Sequence, residues 1–209
     1  IKCDDSYMLL NEKTTTLWKY LNNNNYYSKY TKIIKCDDDN FIHIDKFINL
    51  LINTTHIDYF GIYNNNKVTG QWKNLSVGKW RGPFYEGPIY WFSKDVLKYY
   101  CDNITKAFLS DIRLEDKLFS DIVRNDFLIK PYKGDIEFIG YPIYTNFKCM
   151  GLGNPIAKMD VQTFNNAIVI SNIKSERVFN YFKDLYDNER LKKKQSFSQI
   201  ILQIKDIVR

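Results

Sequence analysis

The sequence predicts an α/β three-layer domain. Three observations carry that prediction. Short strand-like apolar runs alternate with helical patterns along most of the chain. The 209 residues are 44% hydrophobic and 16% aromatic, enough for one domain, 1–209, with a real core. Asp37-Asp38-Asp39 directly follows a strand-like run, the place where open α/β sheets bind ligands.

The elements follow in order. Ile1-Lys2-Cys3 reads as a strand end, and Asp4-Asp5-Ser6 offers helix N-cap chemistry. Leu9, Leu10, Leu17, Trp18 and Leu21 mark a helix that stops at the Asn22–Asn25 run. Tyr30–Cys36 reads as a buried strand feeding the acidic triplet. Ile44–Ile52 is a short helix with Phe47, Ile48 and Leu51 inward. Ile57–Tyr63 is a strand, and Asn64–Asn66 turns into an extended segment near Val68.

Residues 70–90 carry Gly70, Gly78, Gly82-Pro83 and Gly87-Pro88, with Trp72, Trp80, Phe84, Tyr85 and Tyr90 between them. Such a loop-rich aromatic segment suits a pocket lining. Ile89–Phe92 is a short strand, and Ser93 caps a helix running through Phe108. Leu114-Glu115-Asp116 opens another helix, with Leu118, Phe119 and Ile122 on one face. Strand-like runs follow at Phe127–Ile129 and Ile136–Ile139, then a long loop over 140–165. Asn166–Ile170 is a buried strand, Glu176–Tyr186 a helix and Ser198–Val208 a last amphipathic helix.

Composition narrows the function classes. No run of 18 apolar residues is present, so the sequence predicts no transmembrane segment. Thirty Lys and Arg against 24 Asp and Glu leave a net charge of +6, which favours a phosphorylated ligand. The basic residues are scattered, and Lys192-Lys193-Lys194 reads as a solvated run, so nucleic acid is not the expected partner. Cys3, Cys36, Cys101 and Cys149 lack metal-finger spacing and read as buried thiols. Sequons begin at Asn53, Asn74 and Asn103. They do not fix a compartment, since Asn, Ile, Lys and Tyr are all frequent, as in an A+T-rich genome.

The acidic triplet is the strongest chemical signal. Three adjacent carboxylates repel one another unless a cation or hydrogen-bond donors hold them. A hard divalent metal carrying a diphosphate suits such a cluster. A calcium loop of the helix-loop-helix kind is excluded, because Ile42 stands at the sixth position from Asp37, where glycine is required.

The run Ile33-Ile34-Lys35-Cys36-Asp37-Asp38-Asp39-Asn40-Phe41 resembles the Lys-x-Asp-Asp-Asp-x-Phe motif of the β-1,3-galactosyltransferase-type glycosyltransferases, a family that includes fringe-like and N-acetylglucosaminyl enzymes. Three further segments are similar to family motifs, in the same order. They are Asp5-Ser6-Tyr7 with Lys13-Thr14, the stretch from Pro83 to Ser93, and Glu115-Asp116. The resemblance runs from the first residues to about Tyr186.

The resemblance implies a GT-A-like fold, a mixed sheet flanked by helices, and an inverting transfer of a hexose or N-acetylhexosamine. The donor would be a UDP-sugar and the acceptor a hydroxyl of a glycan, protein or lipid. It implies Mn²⁺ or Mg²⁺ as cofactor, with Asp39 as metal ligand and Asp37 beside it. Asp37 and Asp38 would face the ribose or the metal's water shell. Lys35 would face the donor phosphates, and Gly87 would let the backbone approach the donor sugar. Asp116 would be the catalytic base. Two departures are visible. Ser171, in Ile168-Val169-Ile170-Ser171-Asn172, stands where the family carries a metal-binding His. The strand-helix unit that precedes Asp-Ser-Tyr in the family is missing from this chain, which implies an N-terminally truncated domain. A Golgi lumen location would follow for a typical member, and a cytoplasmic one for a viral protein. The rival expectation is a degenerate relative that binds a sugar or nucleotide without turnover.

Overall fold

The computed structural model describes residues 9–64, 82–124, 126–127, 129, 167–171, 173 and 176–193. Asp5-Ser6-Tyr7, Trp72, Trp80, Cys3, Cys149, the run at Ile136–Ile139, the 140–165 loop and the 198–208 helix lie outside them. The chain divides into two compact units, 1–36 with 57–132 and 37–56 with 133–209. The described residues are mixed α and β, and every strand pairing among them is antiparallel. The mixed sheet that the resemblance implies would need parallel neighbours, and none occurs among the described strands. No helix among the described residues is long and apolar enough to cross a membrane.

The first unit holds α1 (Leu10–Asn23), β1 (Lys32–Cys36), β3 (Tyr59–Asn64), β4 (Phe84–Ser93), α3 (Lys94–Asn103), α4 (Lys106–Asp111) and α5 (Glu115–Val123). Its sheet has the order β1-β4-β3. β4 is therefore central, and Ile89–Phe92 is fully buried. Ser93 caps α3 by accepting from the Val96 N–H, as its position predicts. The helix expected to run through Phe108 instead breaks at Ile104. Thr105 opens α4 by capping the Phe108 N–H, because a threonine hydroxyl offers the backbone a new N-terminus.

β4 is also longer than the short strand expected at Ile89–Phe92. Aromatic residues carry the pairing on through Phe84, and the punctuating Gly87-Pro88 is taken up by a bulge. Gly61 pairs Tyr90 and Tyr63 pairs Tyr85, so a two-residue advance on β3 meets a five-residue advance on β4. Glu86–Pro88 form the excess. Glycine and proline are tolerated there because a bulge needs few ladder bonds.

α1 packs on α3 and α5. Trp18 is buried and meets Phe92 edge-on at 5.2 Å. Leu17, one of the apolar residues that mark this helix in the sequence, is exposed. The inward face instead carries Asn11 and Thr15, which are buried because they satisfy polar groups. Asn11 donates to the carbonyls of Leu109 and Ile112 at 2.8 and 2.9 Å, and Thr15 bonds the Tyr100 hydroxyl at 2.7 Å. β1 is not the buried strand expected. It flanks β4, so its residues alternate. Ile33 packs on the core while Ile34 and Cys36 are exposed. Phe127 lies in a turn that continues α5, with its N–H on the Val123 carbonyl, and not in a strand.

The second unit holds β2 (Phe41–Ile42), α2 (Ile44–Asn53), β5 (Val169–Ile170) and α6 (Glu176–Lys193). β2 pairs β5 with Phe41 opposite Ile170. Phe41, Ala167, Ile170, Ile173, Val178 and Phe182 form its core. On α2 the buried residues are Phe47 and Leu50, while Ile48 and Leu51 are half-buried. His43 is buried at the start of α2, its ring against Phe41 and Tyr186.

Candidate functional site

In the first unit, three residues singled out from the sequence meet: Lys35, Gly87 and Asp116. The β-strand alternation that exposes Ile34 and Cys36 turns Lys35 toward α5. Its ammonium pairs with Glu115 Oε1 at 2.8 Å and donates to the Gly87 carbonyl at 2.5 Å. The bulge leaves the Gly87 N–H free of the ladder, and it donates to Asp116 Oδ2 at 2.7 Å. The other carboxylate oxygen, Oδ1, accepts the Lys117 N–H at 2.7 Å. Both backbone polar groups of Gly87, its N–H and its carbonyl, thus end on site residues.

Glu115, next to Asp116, completes the cluster. Its second oxygen accepts from the Tyr90 hydroxyl at 2.8 Å. Lys35 and Glu115 side chains are only 13% and 4% exposed, so this is a largely buried ion pair. Asp116, by contrast, keeps part of its surface open. Burial pushes the Asp116 carboxyl up from 3.8 to about 7, and the Glu115 charge adds to the rise. The Lys35 ammonium and the Lys117 and Gly87 N–H groups pull in the opposite direction. The result is a carboxyl that changes charge near neutrality.

A second raised carboxyl lies on the same bulge. Burial moves Glu86 from 4.5 to about 7, against a lowering hydrogen bond from Asn64 at 2.5 Å. Beneath the site, α5 is anchored by polar contacts. The Ser120 hydroxyl bonds the Tyr59 hydroxyl at 2.7 Å and accepts from the Tyr85 N–H at 3.1 Å. Lys117, fully buried, donates to both oxygens of Asp121 at 3.1 Å, and Arg124 reaches the same carboxylate at 3.1 Å. Sequence reasoning reached Glu115 only as a neighbour of Asp116, counted Tyr90 only among the pocket-lining aromatic residues, and gave Glu86 and Asn64 no part in a site. A carboxylate set among the aromatic residues of β4 was the one available signal for Glu86.

The acidic triplet belongs to the second unit and stands in the turn before β2. Asp38 is exposed, and Asp37 and Asp39 are half-buried. The Asp39 carbonyl accepts the Ile173 N–H at 2.9 Å, and the His43 N–H donates to the Ile168 carbonyl at 2.9 Å. These bonds extend the β2–β5 ladder on either side and pin the turn. Continuing the register one step from Phe41 and Ile170 sets Asn40 opposite Ser171. Ser171 is therefore beside the acidic turn, and it is buried. The donors presented by the turn are carboxylate oxygens, which suit Mg²⁺ or Mn²⁺ and not a soft ion. Among the described residues no group of three or more His, Cys, Asp or Glu side chains converges as a complete metal cage.

No protein-family model matches this chain, and no curated protein matches it. The chemistry of the two features just described is what bears on function.

Proposed function

We propose that this chain is an inverting, metal-dependent glycosyltransferase with a GT-A-like scaffold, transferring a sugar from a UDP-sugar to an acceptor hydroxyl. The observation that carries the reading is Asp116. It is a half-buried residue whose carboxyl is fixed by two backbone N–H groups and shifted to about 7. General-base work near neutral pH asks for a carboxyl of that proton affinity. The order of sequence motifs supplies the rest of the reading.

Asp116 would accept the proton of the acceptor hydroxyl as that oxygen bonds to the anomeric carbon. The bond from that carbon to the donor diphosphate breaks, and its electron pair leaves with UDP. Each carboxylate oxygen has two lone pairs. The two N–H bonds therefore leave capacity for the incoming proton, and they hold the carboxylate in one orientation before the acceptor arrives. Asp39, with Asp37, would hold Mn²⁺ or Mg²⁺, which when bound supplies charge neutralisation of the diphosphate. Asp38 would face the ribose or the metal's water shell.

A second reading is binding of the donor without turnover. Ser171 favours it, because a buried hydroxyl stands where the family's metal-binding His is expected. One experiment separates the two. The protein is incubated with Mn²⁺ and a panel of UDP-sugars, and UDP release is followed with and without glycan acceptors. The enzyme reading predicts acceptor-stimulated release that is lost in Asp116→Asn. Donor binding without release in the parent protein would leave the second reading standing.

A further inference from the structure

We propose that Glu115 is a positioning residue: through Lys35 and Tyr90 it fixes the Gly87 peptide on which the Asp116 carboxylate rests. This deepens the assignment of Asp116 as the base and rests on it. The geometry is a closed circuit. Glu115 holds the Lys35 ammonium at 2.8 Å, and that ammonium holds the Gly87 carbonyl at 2.5 Å. The N–H of the same residue, in the preceding peptide group, holds Asp116 at 2.7 Å, and Asp116 follows Glu115 in the chain. Tyr90, on the same strand as Gly87, holds the other Glu115 oxygen.

The circuit explains an otherwise costly arrangement. Two adjacent carboxylates at a helix start repel each other, and one of them is almost wholly buried. Lys35 is the cation that both feel. Glu115 pairs with it directly, and Asp116 senses it at longer range. Glu115 thereby keeps the ammonium on itself and on the Gly87 carbonyl, so Asp116 is not neutralised by a direct salt bridge. A methyl group added at Gly87 would just touch the cluster, in ordinary van der Waals contact, 3.4 Å from Asp116 Oδ2 and from Glu115 Oε1, and 3.6 Å from Lys35 Nζ.

The ionisable groups acting on Asp116 come from several elements. They are Lys35 on β1, Tyr59 on β3, Tyr90 on β4 and Glu115 on its own helix. Both tyrosines are held well above their ordinary range by burial, so they stay neutral through the pH range in which Asp116 titrates. Among the described residues, Lys35 and Glu115 are therefore the two charges that can tune it, with opposite signs.

The test is the titration of the Asp116 carboxyl, followed by carbon-detected NMR on the full chain without donor. Glu115→Gln should move its midpoint down and Lys35→Met should move it up, each by at least about half a pH unit. The double variant should return toward the parent, and Lys35→Arg should stay with it. The Gly87 amide shift, which follows the Asp116 titration in the parent, should lose that dependence in Lys35→Met. Shifts of one sign in both single variants, or none in either, would overturn the proposal. If Glu115→Gln does not fold, Lys35→Met against Lys35→Arg carries the decision, and an unmoved midpoint in Lys35→Met overturns it. No transfer activity is needed for this readout, so a protein that releases no UDP yet shows the opposed shifts sinks the enzyme reading and leaves the positioning circuit intact.

Discussion

The Gly87 N–H donates to Asp116 at 2.7 Å, and this bond joins a strand bulge to the first turn of a helix. Its consequence is a carboxylate with a fixed orientation, while burial and the Glu115 charge, against this bond, raise its proton affinity. Asp116 should titrate with a midpoint near 7, readable by NMR. Transfer activity should rise about tenfold per pH unit below that midpoint and level off above it. A midpoint near 4 would remove Asp116 as a base suited to neutral pH.

The same two raised carboxyls predict how stability follows pH. Asp116 and Glu86 bind their protons more tightly in the folded chain than in the unfolded one. Between about pH 4 and pH 7 the native state therefore holds more protons, and their contribution to stability falls as pH rises through that window. Glu86→Gln should flatten the fall. The gap in Tm between Glu86→Gln and the parent should grow from pH 5 to pH 8 in the variant's favour. A constant gap would mean that Glu86 is not shifted.

Gly61 faces a closed wall. A methyl group there would sit 2.8 Å from Tyr90 Cβ and 2.9 Å from Tyr85 Cβ, beside the step that creates the bulge. Gly61→Ala should destabilise the first unit by about 1–3 kcal/mol, since an added carbon must push two packed tyrosines aside. Chemical denaturation measures it, and unchanged stability would show that β4 can give way.

Much of the local structure was legible in the sequence. The helix that ends at the Asn22–Asn25 run, the Ser93 cap and the helix opened by Glu115 all have local causes, namely periodicity and capping chemistry. The errors came from tertiary context. Leu17 is exposed and Asn11 buried because distant carbonyls at Leu109 and Ile112 reward an amide at that place. Cys36 is exposed because β1 flanks the sheet, which no apolar run can reveal. Gly87 and Pro88 looked like loop punctuation because a bulge uses the same residues as a turn. The pairing of Lys35 with Glu115 joins positions 80 residues apart (115 minus 35), and no local pattern encodes it.

Lys117 has no exposed surface, and its charge is met by Asp121, which Arg124 also contacts. Lys117→Ala should cost about 3–5 kcal/mol, because it leaves Asp121 buried with one cation where it had two. Lys117→Met, which restores the buried volume but not the charge, should recover only part of that. Full recovery by methionine would show that packing, and not ion pairing, holds this helix.

The central claim is that a carboxylate-bound divalent ion anchors the donor diphosphate and that Asp39 is its ligand. Calorimetric titration of UDP in the presence of Mn²⁺ tests it most directly. The parent should bind UDP in a Mn²⁺-dependent manner, and Asp39→Ala should lose at least about tenfold in affinity while Asp116→Asn binds like the parent. Equal affinity in Asp39→Ala and the parent, or binding indifferent to Mn²⁺, would contradict the account.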